Sequence, residues 1–177
     1  MADDKKEPWL NFLALTTIIL AVCATLSTFK GGGYSTKSVL SQEQASNQWS
    51  YFQSKSLKLY LHETEKDALE LELRRIPANE TENINAYKSK IQQYADKVKK
   101  YEEEKDGIKK DAEKLELTRD EAQKHSGVFG KAVIFLQISI LLASIAALIK
   151  RKYIWYLSMA VGVFGIFYFF DGFFLFF

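Results

Sequence analysis

A chain of 177 residues would suit one soluble domain, but its apolar residues, 47% of the total, gather at the two ends, with nearly all the charge between them. The 24 Lys and Arg nearly balance the 22 Asp and Glu, and the signs are mixed through the central stretch, which excludes a basic face for nucleic acid and an acidic block for a basic partner. A single cysteine, Cys23, excludes an internal disulfide.

Residues 10–29 hold no charge and are long enough to cross a hydrocarbon core, with Trp9 at one end where an indole favours the interface. The apolar run is too long for a signal-peptide core, and the preceding Asp3, Asp4, Lys5, Lys6 and Glu7 are not net positive, so a retained anchor is expected. Gly31, Gly32 and Gly33 follow, and three glycines after a helix predict a joint. They lack the Lys-Ser/Thr that would complete a phosphate-binding loop. Residues 1–33 are thus an anchor helix and glycine joint.

Residues 34–128 predict an extramembrane antiparallel helical hairpin. Its first helix runs from about Thr36 to Arg75, with Ser41 and Gln44 spaced as a capping box near its start. Pro77 ends it, and Asn79 with Glu82 is placed to cap the second helix. The sequon at Asn79 and Thr81 is explained by that cap. The second helix carries Ile84, Tyr87, Ile91, Tyr94, Val98, Tyr101, Lys105, Ile108, Ala112, Leu115, Arg119, Ala122, Ser126 and Phe129 in unbroken steps of three and four, a coiled-coil seam. Two helices joined by a short turn lie antiparallel, giving a rod of roughly 60 Å. Folding the chain about Ala78 sets Trp49 beside Gly107, so Trp49, Phe52 and Gly107 are expected to form a packing contact of the hairpin.

The first hairpin helix carries two apolar stripes. Phe52, Leu59, Leu69, Leu73 and Ile76 form one; Leu57, Leu61, Ala68 and Leu71 form another, offset around the axis. One partner helix covers only one stripe. Leu57, Leu61 and Leu71 are therefore expected at a contact between copies of the chain.

Residues 129–177 predict two further membrane spans, 129–149 and 154–170, which gives an all-α membrane protein with three transmembrane helices plus a long antiparallel coiled-coil hairpin. Gly162 and Gly165 in the last span would allow close helix approach, and are expected to join the oligomer interface. Asp171 is the one carboxylate near that span; it is an intramembrane charge if buried, or an interfacial residue beside a turn at Gly172. Lys150, Arg151 and Lys152 fill a very short loop, where the positive-inside rule acts most strongly. That places the N-terminus in the cytoplasm, and the hairpin and C-terminus outside it.

His62 and His125 are expected on the surface, with His62 opposite Tyr94 and too far from His125 to share a metal. Glu102, Glu103 and Glu104 point in three directions on a helix and read as a solvated face. No catalytic, metal-binding or nucleotide-binding motif is present, so no enzymatic activity and no cofactor are expected.

The anchor, the glycine-rich joint, the run from Ala45-Ser46-Asn47-Gln48-Trp49 through Ser50-Tyr51-Phe52-Gln53-Ser54 to Lys55-Ser56-Leu57-Lys58, the charged helix and the two C-terminal spans together resemble a bacterial family, domain of unknown function 4337. The resemblance implies a multi-pass protein of the bacterial inner membrane with a periplasmic hairpin, and implies no chemistry. The expected function is that of a membrane-anchored structural or interaction protein whose partners are the lipid bilayer and its own copies in a homo-oligomer. A channel or transporter subunit is the alternative.

Overall fold

The structure, a computed structural model, describes residues 8–176. The charged residues before Pro8, on which part of the anchor and orientation arguments rest, lie outside the described residues. Three helices account for the fold: α1 (Pro8–Leu73), α2 (Thr81–Ile149) and α3 (Lys152–Phe174), with no strand among the described residues. Each contains a stretch long and apolar enough to cross a membrane, with mean hydropathies of 2.1, 2.6 and 1.7. The contacts divide the chain into two compact units. One comprises the residues up to Leu40 together with those from Thr118 onward, and the other comprises Ser41–Leu117.

In the first unit α1, α2 and α3 pack side by side. Leu20, Ala24, Ala132 and Leu136 form one buried cluster, joined by Ile166 and Phe169; Trp9, Leu13 and Ala146 form a second, joined by Ile154 and Trp155. The inward face of α2 runs through Ala122, His125, Phe129, Ala132, Leu136, Ser139, Ala143 and Ala146, all buried, in steps of three and four. The seam expected from sequence passes instead through Ser126, which is half-buried. Packing against two neighbours rather than one turns the buried face by one position, and this brings His125 inside.

The glycine joint does not form. Gly31, Gly32 and Gly33 are interior residues of α1, and none has a positive φ. Glycine costs a helix about 1 kcal/mol relative to alanine without breaking it. Here Gly31 lets α2 come close: a Cβ at this position would lie 3.0 Å from Phe129 Cβ. Because α1 is continuous, Ser41 caps nothing. The α2–α3 connection is two residues, Lys150 in the left-handed region (φ 54°) and Arg151 extended.

In the second unit the two helical segments run antiparallel, since partners on α2 rise in number as those on α1 fall. Glu72 meets Tyr87, His62 meets Tyr94 and Tyr101, Lys55 meets Glu104, and Trp49 meets Glu116. Ile108 and Ala112 are buried in the seam, and Ile84, Tyr87, Ile91, Tyr94, Val98, Tyr101 and Leu115 are half-buried. The turn begins at Arg74, ahead of Pro77. Glu80, not Asn79, precedes the first residue of α2; its carbonyl accepts from Ile84 N (3.1 Å) and its carboxylate from Asn83 Nδ2 (2.7 Å).

Candidate functional site

A polar cluster of the first unit surrounds His125 and the end of α3. The His125 ring is buried and stacks on Tyr34 of α1, with centroids 4.3 Å apart and planes 12° from parallel. Its Nδ1 lies 2.8 Å from the carbonyl oxygen of Gly172. A carbonyl only accepts, so Nδ1 carries the proton and donates it. The last carbonyls of a helix have no partner within it, and His125 supplies one. Asp171, 2% exposed, completes the terminus: its Oδ1 accepts from Phe176 N (2.6 Å), while its carbonyl accepts from Leu175 N (2.7 Å), with Leu175 in the left-handed region (φ 49°). Ser126 Oγ donates to Gly31 O at 3.1 Å and ties α2 to α1 at the same level. A second tie lies deeper, where Ser139 Oγ donates to Ser158 O on α3 (2.6 Å). These groups use their polar atoms to fasten three helices together.

Two expectations change here. His125 is not a surface histidine; it belongs to the buried face together with Ala122 and Phe129. The turn expected at Gly172, beside Asp171, does not form either. Both residues remain helical and buried, and Gly172 lies against Phe129, where a Cβ would come within 2.8 Å of the ring.

Gly162 and Gly165, expected between copies, pack within the chain. A Cβ on Gly162 would lie 2.9 Å from Ser139 Oγ and 3.1 Å from Leu20 Cδ2; one on Gly165 would lie 2.7 Å from Leu136 Cγ. Small residues permit close approach wherever a helix neighbour exists, and the nearest neighbours are α1 and α2 of the same chain.

In the second unit Trp49 does not cover Gly107, where a Cβ would meet nothing within 4 Å. The indole donates instead to Glu116 Oε1 at 2.9 Å and meets Phe52 edge-on. Side chains on a helix lean toward its N-terminus. In an antiparallel pair Trp49 and Glu116 therefore lean toward each other, which carries the indole past the level of Gly107. Phe52 is half-buried under Lys105, whose Nζ lies 5.4 Å from the ring centroid. His62 lies opposite Tyr94, as expected, at 5.6 Å between centroids, but it is half-buried rather than at the surface and stacks on Tyr101 at 5.4 Å.

Lys55 is ion-paired with Glu104 beside the Tyr51 and Tyr101 rings. The hydrogen bond from Lys55, aided by its charge, holds the Glu104 carboxyl below the ordinary range, and the same bond holds the Lys55 ammonium above its own. Glu104 is thus set apart from Glu102 and Glu103 by its partner, but it is not part of a carboxylate pair.

Leu57, Leu61 and Leu71 face outward at 61%, 53% and 57% exposure, and Tyr60 extends their stripe. The other stripe turns inward, with Leu59 buried and Phe52, Leu69, Leu73 and Ile76 half-buried.

The chain is therefore an all-helical protein with three helices long and apolar enough to cross a membrane, and with polar groups placed at helix junctions. It matches the family described as Domain of unknown function (DUF4337) over residues 9–175, and belongs to that family. No curated protein and no solved structure matches it.

Proposed function

We propose that the protein is a membrane-anchored structural and interaction protein that assembles with its own copies through the outward face of α1. The observation that carries this reading is the stripe of Leu57, Tyr60, Leu61 and Leu71, exposed on a segment whose opposite face is already occupied by α2. Exposed contiguous apolar surface marks an interface, and each buried leucine contributes about 1.5–3 kcal/mol. In this reading the segments of the second unit form a coiled-coil hairpin, and Gly162 and Gly165 hold the bundle of a single chain.

Membrane insertion is supported by the outer surface of the first unit, where Ile18, Val22, Leu148 and Val163 face outward. The hydroxyls of Thr17, Thr25, Thr28 and Ser144 each donate to a carbonyl four residues earlier, as polar groups in lipid must find partners within the protein. The Lys150 and Arg151 turn, with Lys152 beside it, supports a cytoplasmic N-terminus in a bacterial inner membrane, with hairpin and C-terminus in the periplasm. The role is non-enzymatic and needs no cofactor. Asp171 gives its carboxylate to a backbone amide, so no observation favours a channel or transporter subunit.

The test is to change Leu57, Leu61 and Leu71 together to Gln and to measure protein mass in detergent by light scattering. Wild type should run as a defined multiple of the chain and the variant as a monomer. A monomeric wild type refutes self-association.

A further inference from the structure

The same spacing of lysine and glycine occurs twice. Lys30, Gly33 and Lys37 lie on α1, and Lys124, Gly127 and Lys131 on α2, each a glycine three residues after one lysine and four before the next. Positions i, i+3 and i+7 share one helix face. Each set therefore presents two lysines about 10.5 Å apart along the axis with a glycine between them. All six residues are exposed, while Gly31 and Tyr34 on α1, and His125 and Phe129 on α2, supply the packing faces. A Cβ on Gly33 or Gly127 would meet nothing within 4 Å.

The absent side chains leave an open groove on each helix. The α1 groove, about 680 Å³, adds Thr28 and Thr36 to its lysines; the α2 groove, about 600 Å³, adds Gln123 and is bordered by Leu175, just past the end of α3. Each combines two ammonium groups with bare backbone; the Thr28 and Thr36 hydroxyls of the α1 groove already donate to Ala24 O and Gly32 O, which leaves the lysines as its anion ligands. None of the four lysines is ion-paired with a carboxylate among the described residues, and Lys131 Nζ lies 5.8 Å from the Tyr168 ring centroid.

Their place along the helices names the ligand. Lys30 directly follows the uncharged run 10–29, and Lys131 stands at the start of the apolar run that ends at Ile149. The bond from Ser126 to Gly31 puts both grooves at one level of the first unit. Each groove thus has an apolar helix surface on one side and polar helix on the other, and Phe29, 76% exposed, forms part of the α1 groove itself. A free anion would have no use for that surface.

We propose that the two grooves bind the headgroups of anionic phospholipids, one phosphodiester between each lysine pair, with the acyl chains lying along the apolar surface beside it. The glycine lets the headgroup approach the helix backbone. The proposal rests on the membrane-inserted reading above.

The test uses the full chain purified in detergent, titrated with phosphatidylglycerol or phosphatidylcholine and followed by native mass spectrometry. Two phosphatidylglycerol molecules per chain should be retained, in preference to phosphatidylcholine. Lys30→Gln with Lys37→Gln should remove one, and Lys124→Gln with Lys131→Gln the other, each lysine accounting for roughly fivefold in affinity. Gly33→Leu with Gly127→Leu fills the grooves with every charge kept, and should also weaken binding while leaving the circular dichroism of the helices unchanged.

Four outcomes overturn the proposal. The four-glutamine chain keeps its preference for phosphatidylglycerol; the leucine variant binds as wild type does, so that diffuse charge suffices; inorganic phosphate at equal concentration displaces the lipid, so that the sites take free anions; or wild type shows no preference between the lipids. If the chain is recovered from cells in the aqueous phase without detergent, the membrane reading fails and this inference with it. A detergent-requiring chain with no lipid preference defeats this inference alone.

Discussion

Gly165→Ala adds one methyl group at the tightest contact between α3 and α2. That methyl would stand 2.7 Å from Leu136 Cγ, 2.8 Å from its Cδ2 and 3.0 Å from its backbone nitrogen. Leu136 is fully buried, and Cγ is a branch point that no rotamer carries far from the backbone. The helices must therefore separate. Overpacking of this kind costs about 1–3 kcal/mol, while exchanging glycine for alanine within a helix returns about 1 kcal/mol. The expected net loss reaches about 2 kcal/mol. Gly130→Ala is the control, since Gly130 is exposed on α2 and a Cβ there meets nothing within 4 Å; it should gain up to about 1 kcal/mol. Both variants are to be unfolded in mixed micelles with increasing dodecyl sulfate and followed by circular dichroism. If Gly165→Ala is as stable as Gly130→Ala, α3 does not pack on α2 through Gly165, and the account of the first unit is wrong.

Gly107→Leu should stabilise the second unit by up to about 1 kcal/mol in thermal unfolding, because the space beside Gly107 is open and leucine is the better helix former; a loss would return Trp49 to that position. The Lys55–Glu104 pair should show a stability difference between wild type and Lys55→Met that depends on pH. A carboxyl held below its ordinary pKa stabilises above that value and loses its effect as pH falls through the lower, folded one; an ammonium held above its ordinary pKa stabilises below that value and loses its effect as pH rises through the higher, folded one. The difference in melting midpoint should therefore be full at neutral pH and shrink toward strong acid and strong alkali, and a difference that persists in acid would mean that Lys55 acts by packing over Tyr51 and Tyr101 instead.

The all-helical architecture and the three long apolar stretches were legible because period and composition act over many residues at once. The seam from Ile84 to Leu115, half-buried along most of its length and buried at Ile108 and Ala112, and the inward turn of Leu59 and Leu69 followed from the same periodicity. What was hidden depended on a third helix. A two-helix reading assigns the inner face to Ser126, and only the arrival of α3 moves it to His125; Ala122 and Phe129 flank both positions at helical spacing and do not distinguish them. The glycines are ambiguous for a related reason. Glycine signals both a break and a close approach, and sequence does not distinguish Gly31, pressed against Phe129, from a flexible joint. Cα level alone sets Trp49 beside Gly107, whereas a long side chain is displaced along the helix by its lean.

The tryptophans of this chain make it its own optical reporter. Trp9 and Trp155 sit in the first unit with ring centroids 6.1 Å apart, close enough to share excitation, and the Trp155 indole donates to Thr16 Oγ1 at 3.3 Å. Trp49 lies in the second unit, its indole beside the Glu116 carboxylate. Light emitted by the native protein is thus the sum of a paired and a solitary chromophore, each sensing one unit. With Trp49→Phe the emission follows the first unit alone; with Trp9→Phe and Trp155→Phe it follows the second. Coincident traces from the two chains would mark unfolding as one cooperative event, and separated traces would give each unit its own transition.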